Sequence, residues 1–159
     1  MKKVYLILML VLIALSSVNA QFFNKTDVKI YENNVADQAR DLVQEHLDLT
    51  PEQAKIFWPL YDEYRAVADS ILDKEISILE KYLIDYYDLN EAKAKRLMAE
   101  ELQVKRAKLD LEEKYFDIMS QKLPAQLIGK FFQIDYRLNL MINQQRTEKT
   151  PLVRNQDKK

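Results

Sequence analysis

The chain has 159 residues with a net charge of −1, one glycine, one histidine and no cysteine. The scarcity of glycine argues against sheet folds and Gly-rich phosphate-binding loops, because turns, bulges and such loops need glycine. The absence of cysteine excludes disulfides, thiolate zinc sites and cysteine nucleophiles, and one histidine excludes metal clusters that need two. A hydrophobic fraction of 48% and a charged fraction of 31% are typical of a folded, soluble chain.

The N-terminus has the pattern of a cleavable signal peptide. Two lysines precede an unbroken apolar run over 4–15, and Val18 and Ala20 place small residues at the spacing that signal peptidase recognises. As a helix this run would be about 18 Å long, shorter than the roughly 30 Å hydrocarbon core of a bilayer. We predict cleavage after Ala20 and export of a product with net charge −3; an uncleaved membrane anchor is the alternative.

From Asn33 onward apolar residues recur with the 3.6-residue period of helices. This period predicts a first helix over about 34–47. A second helix begins after Thr50, which serves as N-cap, while Pro51 supplies the φ of the first turn and Gln53 completes a capping box. Its apolar stripe runs from Phe57 through Leu60, Tyr64, Val67 and Ile71 to Tyr86. The stripe predicts a helix roughly 57 Å long and an elongated molecule.

Three further signals organise the rest of the chain. Pro59 predicts a kink in the second helix, because it lacks a backbone donor and crowds the carbonyl of Lys55. Asn90 caps a third helix that ends near residue 122 and has one predicted apolar face. That face comprises Leu97, Met98, Leu102, Val104, Leu109, Leu111, Tyr115, Phe116, Ile118 and Met119. The fourth helix opens at Leu123-Pro124 and continues through Met141.

The predicted fold class is all-α, an elongated antiparallel helical hairpin of about four helices with two long central helices. The domain organisation follows in chain order: a signal peptide at 1–20, a flexible segment at 21–32, a helical domain at 33–146 and an extended tail at 147–159.

Two helix starts are related by a shift of 74 positions. Leu49-Thr50-Pro51 corresponds to Leu123-Pro124-Ala125, and each start is followed two turns later by an aromatic pair, Phe57-Trp58 and Phe131-Phe132. This weak repeat is compatible with a duplication. Chance similarity between two amphipathic helices is the alternative.

The segment Leu49-Thr50-Pro51-Glu52-Gln53 resembles the LTxxQ signature of the Spy/CpxP family of periplasmic proteins. The signal peptide, the cysteine-free helical chain and the closing Pro151-Leu152-Val153 agree with that resemblance, which covers roughly 33–153. It implies a cradle of two antiparallel helical hairpins that dimerises. It also implies activity as an ATP-independent chaperone for unfolded clients, or as an inhibitory partner of envelope-stress sensor kinases.

Only three residues carry the family motif over directly: Leu49, Thr50 and Gln53. In the second copy Pro124 stands where the motif has threonine, and Leu127 stands where it has glutamine. The resemblance therefore implies structural roles at the first copy alone.

Catalytic and metal-binding chemistry have little support. Adjacent acids such as Asp62 and Glu63 do not converge on one point in a helix, and such pairs favour a solvated face. His46 lies near the end of the first helix, where the helix dipole favours a cationic side chain. An acidic exported chain also makes a poor nucleic-acid binder. We expect no enzyme activity, cofactor, metal ion or nucleic-acid partner.

A tyrosine cluster is the candidate client or dimer surface. Tyr82, Tyr86 and Tyr87 point in directions set by 100° per residue, so they cannot all face one neighbouring helix. Asp85 and Asp88 lie among them and make a wholly buried site costly. We therefore predict that at least one of these tyrosines is exposed or lies at a subunit interface.

Charge is divided unevenly along the chain. Residues 50–89 carry a net charge of −5, and residues 123–159 carry +4. This asymmetry predicts pairing of the two parts within a chain or across an antiparallel dimer. Ordinary surface charge that maintains solubility is the alternative.

Together these observations predict a soluble periplasmic Spy/CpxP-like homodimer that binds unfolded or stress-exposed envelope proteins without a cofactor. The alternative is an exported regulatory or sensor subunit that binds a membrane-bound stress-signalling protein. Breadth of binding separates the two, because a chaperone acts on several unrelated substrates and a regulator holds one partner.

Overall fold

The computed structural model describes residues 38–154. The predicted signal peptide, the segment 21–32, the predicted start of the first helix within 33–37 and the last five residues lie outside the described part. The described residues form four helices: α1 over 38–46, α2 at Pro51–Asp85, α3 at Glu91–Ser120 and α4 at Ala125–Lys149. A single 3₁₀ turn, Tyr86–Asp88, joins α2 to α3. No strand occurs between residues 38 and 154, and the all-α prediction is confirmed.

Local side-chain hydrogen bonds determine where the two long helices begin. Thr50 Oγ1 accepts a hydrogen bond from the Gln53 N–H at 3.3 Å, and Gln53 Oε1 accepts from the Thr50 N–H at 3.0 Å. This is the predicted capping box. At α3, Asn90 Oδ1 accepts from the Lys93 N–H at 3.0 Å. Both predicted helix starts are therefore confirmed.

The helices run up, down and up along one long axis. The 35 residues of α2 extend over about 52 Å, and α3 returns antiparallel beside them. Two contacts in chain order show that α4 is parallel to α2. Tyr64 hydrogen-bonds to Asp135 near the middle of both helices, and Tyr82, near the end of α2, hydrogen-bonds to Pro151, just after α4.

Helix α2 is continuous through Pro59, whose ring is exposed to solvent. Its buried residues do not follow the single predicted stripe, because α2 packs against both α3 and α4. Val67, which the sequence placed on the core face, is 43% exposed, whereas Tyr61 and Ile78 are buried. That part of the predicted core is wrong.

Aromatic rings fill the core where α2 and α4 begin. Phe131 makes edge-on contacts with the rings of Phe57, Tyr61 and Tyr64 at centroid distances of 5.3 to 5.9 Å. Such edge-on pairs are the preferred arrangement for aromatic rings. The contact between Phe57 and Phe131 joins equivalent positions of the two repeat copies, so both aromatic pairs share one core.

The C-terminal tail begins later than the sequence indicated. Helix α4 continues to Lys149, Thr150 is extended and residues 151–154 belong to no helix or strand, so the predicted boundary at 146 is wrong by three residues. The last turns of α4 are polar but carry side-chain hydrogen bonds of their own, such as Thr147 Oγ1 to the Asn143 carbonyl at 2.8 Å. These bonds extend the helix beyond its apolar stripe.

Candidate functional site

The predicted tyrosine cluster lies at the tip of the α2–α3 hairpin. The rings of Tyr82 and Tyr86 contact each other edge-on at 5.8 Å, and those of Tyr86 and Tyr87 at 5.1 Å. Tyr82 and Tyr86 are half-buried, whereas Tyr87 is 72% exposed. Tyr87 is therefore the tyrosine whose side chain is not packed between the helices.

The chain's own tail contacts all three tyrosines. The Tyr82 hydroxyl donates a hydrogen bond to the Pro151 carbonyl at 2.7 Å, and the Tyr86 hydroxyl donates to the Leu152 carbonyl at 3.3 Å. The Arg154 guanidinium lies 5.4 Å from the Tyr87 ring centroid, within cation–π range. Burial is the main cause that raises the pKa of the Tyr82 hydroxyl. The Tyr82 hydroxyl therefore stays protonated, as a donor, at neutral pH.

The two acids among the tyrosines share a basic partner. Lys93 Nζ lies 2.9 Å from Asp85 Oδ1 and 2.9 Å from Asp88 Oδ2. Its hydrogen bond and positive charge lower the pKa of Asp88, and the same hydrogen bond raises the pKa of Lys93. The ion pairs with Lys93 thus reduce the free-energy cost of placing Asp85 and Asp88 beside aromatic rings at the tip of the hairpin.

An open apolar groove of about 810 Å³ lies beside the cluster; we call it the tip groove. Ile78 and Leu97, both buried, lie at its base. Along one side it is lined from α3 by Met98 and Leu102, and along the other from the tail by Pro151, Leu152 and Val153. The tail thus forms part of the lining of this groove.

Helix α3 has two apolar faces where the sequence predicted one. The buried face packs on α2 and comprises Leu97, Val104, Leu111, Tyr115 and Met119. A second set, which we call the exposed stripe, comprises Met98, Leu102, Leu109 and Phe116, which are 45 to 59% exposed. At 100° per residue these four side chains lie within about 40° of one another, along about 27 Å of helix. They form a row on one side of the helix, with charged residues such as Lys105 and Glu113 between its members, and their assignment to the core was wrong.

The sequence pattern did not distinguish the exposed stripe from the core, because each stripe residue lies within two positions of a core residue. Met98 follows Leu97 directly, and Phe116 follows Tyr115. A strict period would have separated the two sets, since positions 97, 104 and 111 repeat at seven residues, as do 102, 109 and 116.

The motif residues Leu49, Thr50 and Gln53 have structural positions. Leu49 packs partly buried against the hydrophobic core, and Thr50 and Gln53 form the capping box of α2. The start of α4 differs from the start of α2. Pro124, with φ at −57°, precedes α4 and makes no side-chain cap hydrogen bond, whereas a threonine precedes α2. The motif therefore forms the N-terminal end of α2, and the tyrosine cluster lies at the opposite end of that helix.

A buried polar cluster at the centre of the bundle was not predicted. Asp135 is 4% exposed and accepts hydrogen bonds from the Tyr64 hydroxyl at 2.8 Å and from Asn139 Nδ2 at 2.9 Å. The Arg65 guanidinium lies 3.8 Å away. Burial, followed by the charge of Asp135, raises the pKa of Tyr64. The sequence signal for this cluster is Asp135 itself, an acid on the apolar side of α4 four residues after the core residue Phe131.

The other candidate polar residues are at the surface. Asp62 pairs with Arg40, which in turn lies over the Trp58 ring at 4.5 Å, so this contact attaches α1 to α2. His46 is half-exposed and lies 3.9 Å from Glu45. Between residues 38 and 154 no three histidine or acidic side chains are grouped closely enough to hold a metal ion.

The predicted charge asymmetry is partly neutralised within the chain. Arg146 of α4 lies 2.8 Å from Glu75 of α2, and both side chains are largely buried. The contact between Arg65 of α2 and Asp135 of α4 also joins these helices. It pairs a base of the acidic segment with an acid of the basic one, so it does not reduce the asymmetry.

No known family model, curated protein or solved structure matches the chain. None of the helices within residues 38–154 has the length and apolar character that crossing a bilayer requires.

Proposed function

We propose that this protein is an exported, Spy/CpxP-like binding protein that holds apolar segments of unfolded or stress-exposed polypeptides in the periplasm. The observation that carries the proposal is the exposed stripe of α3. Met98, Leu102, Leu109 and Phe116 leave about half of their surface in water while the equally apolar face beside them is buried. Exposed apolar side chains aligned on one side of a helix are typical of interaction sites.

The chemistry of the stripe suits many partners. Its side chains are aliphatic, thioether and aromatic, and methionine adapts to surfaces of different shape. Charged residues flank it in ion pairs such as Lys95 with Glu91 and Lys105 with Glu101. A neutral apolar strip between compensated charges favours weak, exchangeable binding without a fixed sequence preference. The LTxxQ resemblance and the N-terminal signal pattern support the same proposal.

The test is suppression of aggregation. The mature chain should slow the aggregation of reduced insulin and of thermally unfolded citrate synthase at near-stoichiometric ratios. Replacing all four stripe residues by serine should abolish the effect while the helical circular-dichroism signal remains. Ile84→Ser is the matched control, because Ile84 is 82% exposed but belongs to α2 and lies off the stripe.

Failure of the unmodified chain on both substrates would overturn the chaperone proposal. Tight binding to one membrane protein in a pull-down from envelope extract, with no effect on either substrate, would instead support the regulatory alternative.

A further inference from the structure

The tail follows the hairpin tip instead of leaving the molecule. Thr150 ends α4 with φ −99° and ψ 115°, and Pro151 has no N–H with which to continue the helix. The residues that follow place two consecutive carbonyls against the hydroxyls of Tyr82 and Tyr86. These contacts are made through the tail's main chain, so its side chains remain available.

The side chains of the tail complete the tip groove. Leu152 is 89% exposed and Val153 is 62% exposed, yet both line the groove. Met98 and Leu102 line the opposite side and are 59% and 45% exposed. Aliphatic side chains therefore border the same space from both sides, and a volume of about 810 Å³ is within the usual range for ligand sites.

Charged groups around the groove already have partners. Lys95 Nζ lies 2.6 Å from Glu91, Glu101 lies 3.4 Å from Lys105, and the Arg146–Glu75 pair closes the α4 end at 2.8 Å. The charged residues of the lining are two acids, Glu75 and Glu101, and two bases, Lys95 and Arg146, so the groove has no excess charge to attract an anionic headgroup or a charged peptide. The charge pattern therefore fits an occupant that is uncharged and apolar.

We propose that the tip groove binds an uncharged, apolar segment of an unfolded polypeptide, and that tail residues 150–154 form its movable wall, latched by the hydroxyls of Tyr82 and Tyr86. This inference rests on the proposed function and assigns a position to part of it. The wall's contacts are two hydrogen bonds between neutral groups and one exposed cation–π contact. Each is individually modest, so the wall can open and close without unfolding α4.

A movable wall explains how one groove accepts side chains of different sizes. The α3 side is rigid, because its residues belong to a 30-residue helix. The tail side is a short segment held by its carbonyls, so it can shift while Leu152 and Val153 stay in contact with the occupant. Met98 adds flexibility from the opposite side.

The groove is tested with two exposed leucines on different helices. Leu102→Glu places a charge in the groove, and Leu140→Glu places the same charge at a similarly exposed position of α4, outside both the groove lining and the exposed stripe. The probe is a fluorescein-labelled peptide of alternating leucine and serine without charged side chains, titrated with the full mature chain. Leu102→Glu should raise the probe's Kd about ten-fold, and Leu140→Glu should leave it within about two-fold.

The latch is tested by removing only the two hydroxyls. The double variant Tyr82→Phe with Tyr86→Phe keeps both rings and should raise the probe's Kd about three-fold. Tyr136→Phe, an exposed tyrosine of α4 outside the groove lining, should match the unmodified protein. Tighter binding by the double variant would show that the tail competes with the peptide, and an unchanged Kd would show no latch; either result overturns the proposed wall.

The outcomes separate this inference from the proposed function. If Leu102→Glu suppresses insulin aggregation and binds the probe as well as the unmodified chain does, the groove assignment is wrong and the proposed function stands. If Leu102→Glu splits a dimer in light scattering but leaves probe binding unchanged, the occupant is a second copy and the inference is overturned. Probe binding that needs Leu102 without any suppression of aggregation would support the groove and overturn the proposed function.

Discussion

The hydroxyl of Tyr64 donates a 2.8 Å hydrogen bond to the carboxylate of Asp135, and both side chains are buried between α2 and α4. Asn139 donates a second hydrogen bond to the same carboxylate oxygen, and Arg65 supplies a nearby positive charge. A one-residue shift of α4 would take the carboxylate away from the Tyr64 hydroxyl, since the neighbours of Asp135 are Ile134 and Tyr136. The pair therefore selects one register for α4, and that register brings the tail to the tyrosine cluster.

Removing the acid should destabilise the fold. Asp135→Ala leaves the buried Tyr64 hydroxyl without its acceptor, and an orphaned buried polar group costs about 1–3 kcal/mol. The free energy of unfolding from urea titration should fall by that amount. Asp110→Ala, at an exposed site of α3, is the control and should stay within about 0.5 kcal/mol. Equal stability of the two variants would contradict a structural role for the Tyr64–Asp135 bond.

The buried tyrosines predict a loss of stability at alkaline pH. Burial is the largest cause that raises the pKa of Tyr61 to about 12 from an ordinary value of 10.0, and it raises the pKa of Tyr64 as well. Because the unfolded chain releases these protons first, the stabilisation is complete below pH 10 and is lost as the pH rises through the folded-state pKa. For Tyr61 alone the loss by pH 12 is about 2 kcal/mol.

Urea titrations at successive pH values measure this loss. Tyr61→Phe should flatten the decline between pH 10 and 12, because phenylalanine has no proton to release. A decline of the same size in that variant would assign the pH dependence to other groups.

Helix starts and the fold class could be predicted because their causes are local. The Thr50 and Asn90 caps involve residues three positions apart, and the 3.6-residue period is visible in any short window. Phe57 and Phe131 were identifiable as core residues for the same reason, since large aromatic side chains on a periodic face are usually buried.

The rest depends on contacts between distant residues. The exposed stripe exists because α2 covers only one face of α3, and no local pattern states how much of a helix its neighbour covers. The tail's position depends on hydroxyls some 70 residues away that meet main-chain carbonyls, which any sequence would supply. The sequence identified Tyr82 and Tyr86 as members of a cluster, but their spacing did not indicate that the chain's own tail contacts them.

The capping box predicts a measurable contribution at the start of α2. Thr50→Ala removes the acceptor of the Gln53 N–H and should lower the free energy of unfolding by about 1 kcal/mol. Thr50→Ser keeps the hydroxyl and should retain most of the stability. An unchanged melting temperature for the alanine variant would contradict the contribution of this cap.

Pro59 predicts a change in the opposite direction. It lies within a continuous helix with its ring exposed, so Pro59→Ala restores a backbone donor and loses little packing. Proline costs roughly 3 kcal/mol in a helix interior, and the free energy of unfolding should rise by up to that amount. Destabilisation would show that the ring stabilises the contact between α1 and α2 in a way that its exposure does not indicate.

The last prediction concerns Tyr87, the exposed member of the tyrosine cluster. Its ring contacts Tyr86 on one side and Arg154 on the other, and most of its surface faces water. Tyr87→Ser should therefore leave the helical circular-dichroism signal and the melting temperature unchanged. If the tip is a client or dimer surface, the same change should weaken aggregation suppression or self-association several-fold, because loss of an aromatic interface anchor commonly costs over about 1 kcal/mol. Tyr136→Ser is the matched control, at 64% exposure on α4. Equal activity of the two variants would remove Tyr87 from the binding surface, and unfolding of the Tyr87 variant would show that its ring packs as part of the core.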